Sequence, residues 1–283
     1  MERNYIILNK VFNQQIFHNL INGKFNSVFE LCIDDYTDGN TNEKYHILIS
    51  KLYKYLTKNY RNEYFYKNTL MNNRLLGRHS LNTTTALAEL PVGKSIADMV
   101  LVNGHATVYE IKTDLDNFSR LRRQISDYYK VFNNVCVLTS ETNVDYLLEI
   151  LKDTSVGVSV LTNRNYISDR KPTIENNNYL NQISMFKVLR KKEYETIIKS
   201  YYGFLPETTQ VKYYQKCLEL FRKIDLEEAY KLMLKELKKR NINEKEQFKK
   251  VPYELKYLIY FSNFKSHQYK QLENFLNKTR ESF

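Results

Sequence analysis

A chain of 283 residues with 42% hydrophobic content can bury a sizeable core, as one large domain or two modest ones. Its 7 glycines and 4 prolines, set against 24 tyrosines and 15 phenylalanines, favour long helices over a many-stranded all-β fold. The three cysteines, Cys32, Cys136 and Cys217, lie far apart and exclude a disulfide framework or a cysteine metal site, while a formal net charge of +11 points to an anionic partner, most simply nucleic acid.

Residues 1–35 read as helical, with Ile16, Leu20, Val28 and Leu31 at three- and four-residue steps. The N-terminus lacks the apolar core of a signal peptide, and no apolar run reaches the ~18 residues of a membrane span. The expectation is a cytoplasmic protein with no membrane partner. A polar loop, 34–44, precedes a helical stretch over 45–71, where Leu48, Leu52, Tyr55 and Leu56 share a face. The period then changes. Residues 83–90, "TTTALAEL", are strand-like, and "PVGKS" (91–95) is a turn. Strands follow at 98–102 and 106–112, joined through Asn103-Gly104, a strong hairpin signal. A helix is expected over 116–132, a strand over 134–140, a helix over 143–153 and a last strand over 156–162.

This order predicts a mixed α/β sheet core over residues 79–163, with an N-terminal helical segment (1–78) packing on it. Residues 164–185 read as a linker and 186–283 as a basic helical domain. That last segment holds 22 Lys and Arg against 13 Asp and Glu, a net of +9. Its mixed lysines and tyrosines suit either a solvated helical bundle or a grip on a nucleic-acid backbone with tyrosines stacking on bases.

Three charges interrupt the apolar strands. Asp98 opens one, and Glu110 and Lys112 sit near the end of the next. Side chains alternate along a strand, so Glu110 and Lys112 share a face and Ile111 takes the other. Pairing the two strands about Asn103-Gly104 brings Asp98 beside them. Two such carboxylates repel unless a cation neutralises them, and Mg²⁺ prefers oxygen ligands of this kind. On spacing alone, a structural salt-bridge cluster at a sheet end is the better reading of them. Asp114 and Asp116 read first as helix caps, and Arg120, Arg122 and Arg123 as either a solvated face or phosphate contacts.

The acid at Asp98 followed by Glu110-x-Lys112 resembles the PD-(D/E)xK nuclease superfamily. The stretch "GHATVYEIKTDLDNFSRLRRQISDYYKVFNNVCVL" and the residues before it are similar to a bacterial and phage branch of nucleases in that superfamily, through Glu89, Ala97-Asp98, Asn103-Gly104, Tyr109 to Lys112, Asp114, Asp116, Arg120-Leu121, Gln124 and Tyr128. Thr113 stands where that branch more often has serine. Gln124-xxx-Tyr128 also resembles the helix motif that follows the core of RecB-like nucleases. The likeness covers about residues 80–140.

The resemblance implies a restriction-endonuclease-like core and a metal-dependent nuclease cutting DNA phosphodiesters in a phage or anti-phage setting. It implies Mg²⁺ or Mn²⁺ held by Asp98, Glu110 and the Ile111 carbonyl, with Glu89 as a third acid and Glu63 as the rival for that place. Lys112 would activate water or offset charge, Gln124 would assist, and Arg120, Arg123 and Tyr128 would touch nucleic acid. Alanine at Asp98, Glu110 or Lys112 is expected to abolish cleavage and leave folding intact. The alternative is a nucleic-acid-binding or protein-interaction module that keeps the fold without turnover. A protein partner or a homodimer is left open.

Overall fold

The computed structural model describes residues 5–282 and divides the chain into two compact units. One runs from Arg78 to Asn241. The other joins the chain up to Gly77 with the chain from Ile242 onward.

The first half of the split unit is helical: α1 (Tyr5–Val11), α2 (Gln14–Ile21), α3 (Ser27–Tyr36), α4 (Tyr45–Asn59) and α5 (Glu63–Leu70). Asparagines set the breaks. The side chains of Asn13, Asn26 and Asn62 accept the backbone N–H of Gln15, Phe29 and Phe65, capping α2, α3 and α5. The expected 45–71 helix is therefore two, and a π-helical turn (Met71–Arg78) follows.

The second unit runs β1 (Thr85–Val92), β2 (Ser95–Val102), β3 (Ala106–Lys112), α6 (Leu121–Tyr129), β4 (Asn134–Ser140), α7 (Val144–Leu151), β5 (Gly157–Leu161) and β6 (Ile167–Lys171). Helices α8 (Gln182–Val188), α9 (Lys191–Tyr202), α10 (Gln210–Phe221) and α11 (Leu226–Lys238) complete it. The strands form one six-stranded sheet in sequence order. Strands β1, β2 and β3 pair antiparallel, β3, β4 and β5 parallel, and β5 and β6 antiparallel. This is the expected mixed α/β sheet flanked by helices. Valines 100, 102, 108, 135, 137, 158 and 160 form one buried face with Leu121 and Tyr128 of α6, Phe186 of α8, Ile197 of α9, Phe221 of α10 and Met233 of α11.

The domain reading needs correction in two places. Residues 164–185 are no linker: they contain β6, and the Asn176 and Asn181 N–H groups donate to the carbonyls of Asn133 (2.9 Å) and Lys130 (2.9 Å). Residues 186–283 are not one domain. Helices α8 to α11 supply the sheet's own core, whereas α12 (Lys245–Lys249), α13 (Lys256–Phe261) and α14 (Ser266–Asn277) belong with the N-terminal helices. There Phe275 stacks on Tyr45 with ring centroids 4.6 Å apart, and Arg280 bonds Glu30 and Asp34 at 2.6 Å each. Similar lysine-rich helices chose different partners because their apolar faces, not their charge, decide what they bury against. The N-terminal helices thus form one compact unit with the chain from Ile242 onward.

Among the described residues, no helix is long and apolar enough to cross a membrane.

Candidate functional site

The register explains the meeting of charges. Met99 pairs with Tyr109 across β2 and β3, so Asp98 falls at the level of Glu110. Ala88 pairs with Met99 and Leu90 with Ala97, so Glu89 falls opposite Asp98. Three acids therefore lie in a row across β1, β2 and β3. Asp98 Oδ2 accepts the Ile111 N–H at 2.7 Å, which holds its carboxylate against β3. The engaged group of Ile111 is thus its N–H, and its side chain is buried.

Glu110 and Lys112 share the face that packs under α6, and this buries them to 2% and 5% exposure. Lys112 Nζ lies 2.8 Å from Glu110 Oε1 and donates to Gln124 Oε1 at 3.1 Å. The Gln124 amide donates in turn to Glu110 Oε1. The Tyr128 hydroxyl lies 2.6 Å from Glu110 Oε2 and 2.8 Å from the Ile96 carbonyl, so its single proton serves two acceptors. Gln124 and Tyr128, four apart on α6, therefore clamp one carboxylate from one helix face. Burial and the charges of Glu110 and Asp98 push the Tyr128 phenol far up, so it stays a donor.

Tyr128 corrects the sequence reading: fully buried, it braces Glu110 and cannot touch nucleic acid. Asp116 corrects it too. The helix begins at Leu121, and the Asp116 carboxylate instead accepts the Thr113 N–H and hydroxyl, each at 2.8 Å. Arg120, Arg122 and Arg123 are exposed on the first turn of α6. Glu63 lies in the other unit, paired with Lys67 at 2.7 Å. Glu89 is exposed and held at φ 52°, a conformation that non-glycine residues seldom adopt.

A brace that sequence reading missed sets the height of α6. Asp127, buried, accepts the Ser95 hydroxyl at 2.9 Å and the Lys94 N–H at 3.2 Å, and pairs with Lys130 at 2.9 Å. The β1–β2 turn is thereby fastened to the helix that carries Gln124 and Tyr128. Gly93 lets this happen: at φ 64°, a Cβ there would meet the Asp127 carboxylate at 2.9 Å. Gly93→Ala should cost at least about 1–2 kcal/mol, read by urea unfolding. The signal was present, since Asp127 stands three residues after Gln124 on the same helix face.

Burial raises the Asp127 carboxyl, but Lys130, the Ser95 hydroxyl and the Lys94 N–H outweigh it and hold the group below the usual range. A depressed carboxyl contributes stability above its unfolded value of about 4, lost as pH falls through the folded value. Asp127→Asn should therefore be about 1–2 kcal/mol less stable than wild type at pH 7. Chemical unfolding across pH should find that gap steady down to about pH 4 and closing below it.

Fold and site together define an α/β protein with a buried glutamate–lysine pair at the carboxyl end of a parallel strand and an aspartate from the adjoining antiparallel strand. Comparison with models of known families matches residues 57–258, more than half of the chain, to the family described as bacteriophage P4 protein cII. The chain belongs to that family, and the match spans every residue of the candidate site. No curated protein and no solved structure matches.

Proposed function

We propose that the chain is a divalent-metal-dependent nuclease that hydrolyses DNA phosphodiester bonds in the cytoplasm. The observation that carries this reading is the junction of Asp98, Glu110, Lys112 and Gln124 at one strand end, two carboxylates at the same level with a cation beside them. Membership of a family named for a bacteriophage protein supports a phage-related setting.

The donor chemistry suits Mg²⁺ or Mn²⁺. Carboxylate oxygens are hard ligands, and Glu110 Oε2 has accepting capacity beyond the Tyr128 hydroxyl. Asp98 and Glu110 would hold the ion, with the Ile111 carbonyl as a further oxygen donor; among the described residues Glu89 does not close a three-acid cluster with them. When bound, such an ion acidifies water and offsets charge on phosphorus-bound oxygens. The chain's own residues supply the frame. Gln124 and Tyr128 fix the Glu110 rotamer, the Ile111 N–H fixes Asp98, and the Lys112 ammonium is held where negative charge would develop.

Incubation of labelled single- and double-stranded DNA and RNA with Mg²⁺ or Mn²⁺ tests the reading. Cleavage that needs the metal and disappears in Lys112→Ala supports it. No product from any substrate with either metal would sink it. A second reading, a nucleic-acid-binding module without turnover, is favoured by the three donors that already engage the buried Glu110. It expects DNA binding indifferent to Mg²⁺ and no weakening of Mg²⁺ binding in Glu110→Ala.

A further inference from the structure

The loop that leaves β3 after Lys112 carries side chains the chemistry above does not use. Leu115 is 81% exposed, and Tyr146, on the first turn of α7, is 54% exposed. Phe118 packs its ring 5.2 Å from that of Tyr146 at an angle of 47°. Phe118 also rests on the sheet core, so the Tyr146 ring has a fixed backing.

Both pieces are tied to the strand end that holds the site. The Asn143 side chain donates to the Thr113 carbonyl at 3.2 Å, and the Thr142 hydroxyl bonds Asp114. Asp116 is folded back onto Thr113. The loop's acids thus serve as internal ties, and both remain exposed with their charge. Strands β3 and β4 are parallel, with Lys112 beside Thr139, so this apolar platform stands at their carboxyl ends, where open α/β sheets bind ligands. Three exposed arginines, Arg120, Arg122 and Arg123, follow within one helical turn. Glu141 and Asp145, close to Tyr146 in sequence, are exposed, while the exposed Glu149 pairs with Lys152 at 2.8 Å. The cations would attract phosphate, and the acids would repel it from the ring.

We propose that Leu115, Phe118 and Tyr146 form a seat for an unpaired nucleobase, whose flanking phosphates lie on Arg120, Arg122 and Arg123. The ligand is a single-stranded stretch of nucleic acid, because in a duplex the base faces are stacked and the phosphates lie outermost. Acids near the ring and arginines beside it match a strand that presents base to one and backbone to the other. This deepens the nuclease reading by naming the substrate's form, and its binding step stands apart from cleavage.

The test is fluorescence anisotropy with labelled oligothymidine and a blunt duplex of equal length, in EDTA, across a salt series. Wild type should bind the single strand more tightly than the duplex. Tyr146→Ala should weaken single-strand binding on the order of tenfold with its salt slope unchanged, and Tyr146→Phe should retain it. Arg120→Ala and Arg123→Ala should each lower the log–log salt slope by about 0.7. Leu115→Ser, at a site too exposed to affect folding, is the second probe and should also weaken single-strand binding. The proposal fails if the duplex binds as well as the single strand, if Tyr146→Ala and Leu115→Ser bind like wild type, or if neither nucleic acid binds. Binding that behaves as expected without cleavage in Mg²⁺ would remove the nuclease reading and leave the seat standing. Cleavage of single strands with an unchanged KM in Tyr146→Ala would do the reverse.

Discussion

Glu110→Ala is expected to destabilise the protein by about 3–5 kcal/mol, because it strips a buried cation of its partner. Lys112, 5% exposed, would lose its carboxylate, and Gln124 and Tyr128 would lose the acceptor they share. The structure thus replaces the expectation that alanine at this position would leave folding intact. Glu110→Gln retains an acceptor of the same shape, so it should recover part of the loss. Urea unfolding of wild type, Glu110→Ala and Glu110→Gln reads the series. Equal stability of all three would show that the network contributes nothing to folding.

Lys112→Ala is expected to be the informative variant for activity. Removing the ammonium leaves Glu110 with the Gln124 amide and the Tyr128 hydroxyl still donating, so the carboxylate stays satisfied in part. The fold should survive, with a melting midpoint above that of Glu110→Ala. If the nuclease reading is right, metal-dependent turnover should fall by about 10²–10⁴-fold, the usual contribution of a positioned acid or base. Lys112→Met, which keeps the buried stem, separates charge from packing: it should fold at least as well and be as inactive. Turnover at the wild-type rate in Lys112→Met would remove the lysine from the chemistry.

The candidate site was legible in part for a definite reason. Asn103-Gly104 forces a tight β2–β3 connection, and a period of two then fixes which residues share a face. From those two facts Asp98, Glu110 and Lys112 had to come together beside the end of β3, although β2 begins at Ser95 and Asp98 lies within it rather than opening it. What spacing left open was the direction of Gln124 and Tyr128. Their four-residue separation puts them on one face, but whether that face meets solvent or the carboxylate depends on where α6 is set down. Asp127, Ser95 and Gly93 decide it, through contacts 32 to 34 positions apart in sequence. The burial of Tyr128, which removes it from any nucleic-acid surface, follows from that docking.

Two strand-level features were hidden for other reasons. Strand β6, "ISDRK", is charged and carries little apolar alternation, as suits an edge strand that must resist further pairing. The unusual backbone of Glu89 has no sequence marker, since glycine or asparagine would be the ordinary choice there.

Local chemistry by itself determined the first five strands of the sheet, the β2–β3 hairpin and the helical crossovers, and the meeting of Asp98 with Glu110 and Lys112. These follow from turn residues and side-chain alternation acting over a few positions. Only the tertiary structure decided that α8 to α11 complete the sheet's core while α12 to α14 join the N-terminal helices, and that α6 closes over Glu110. An amphipathic helix records in its sequence that it must bury one face, but not which distant apolar surface will cover it.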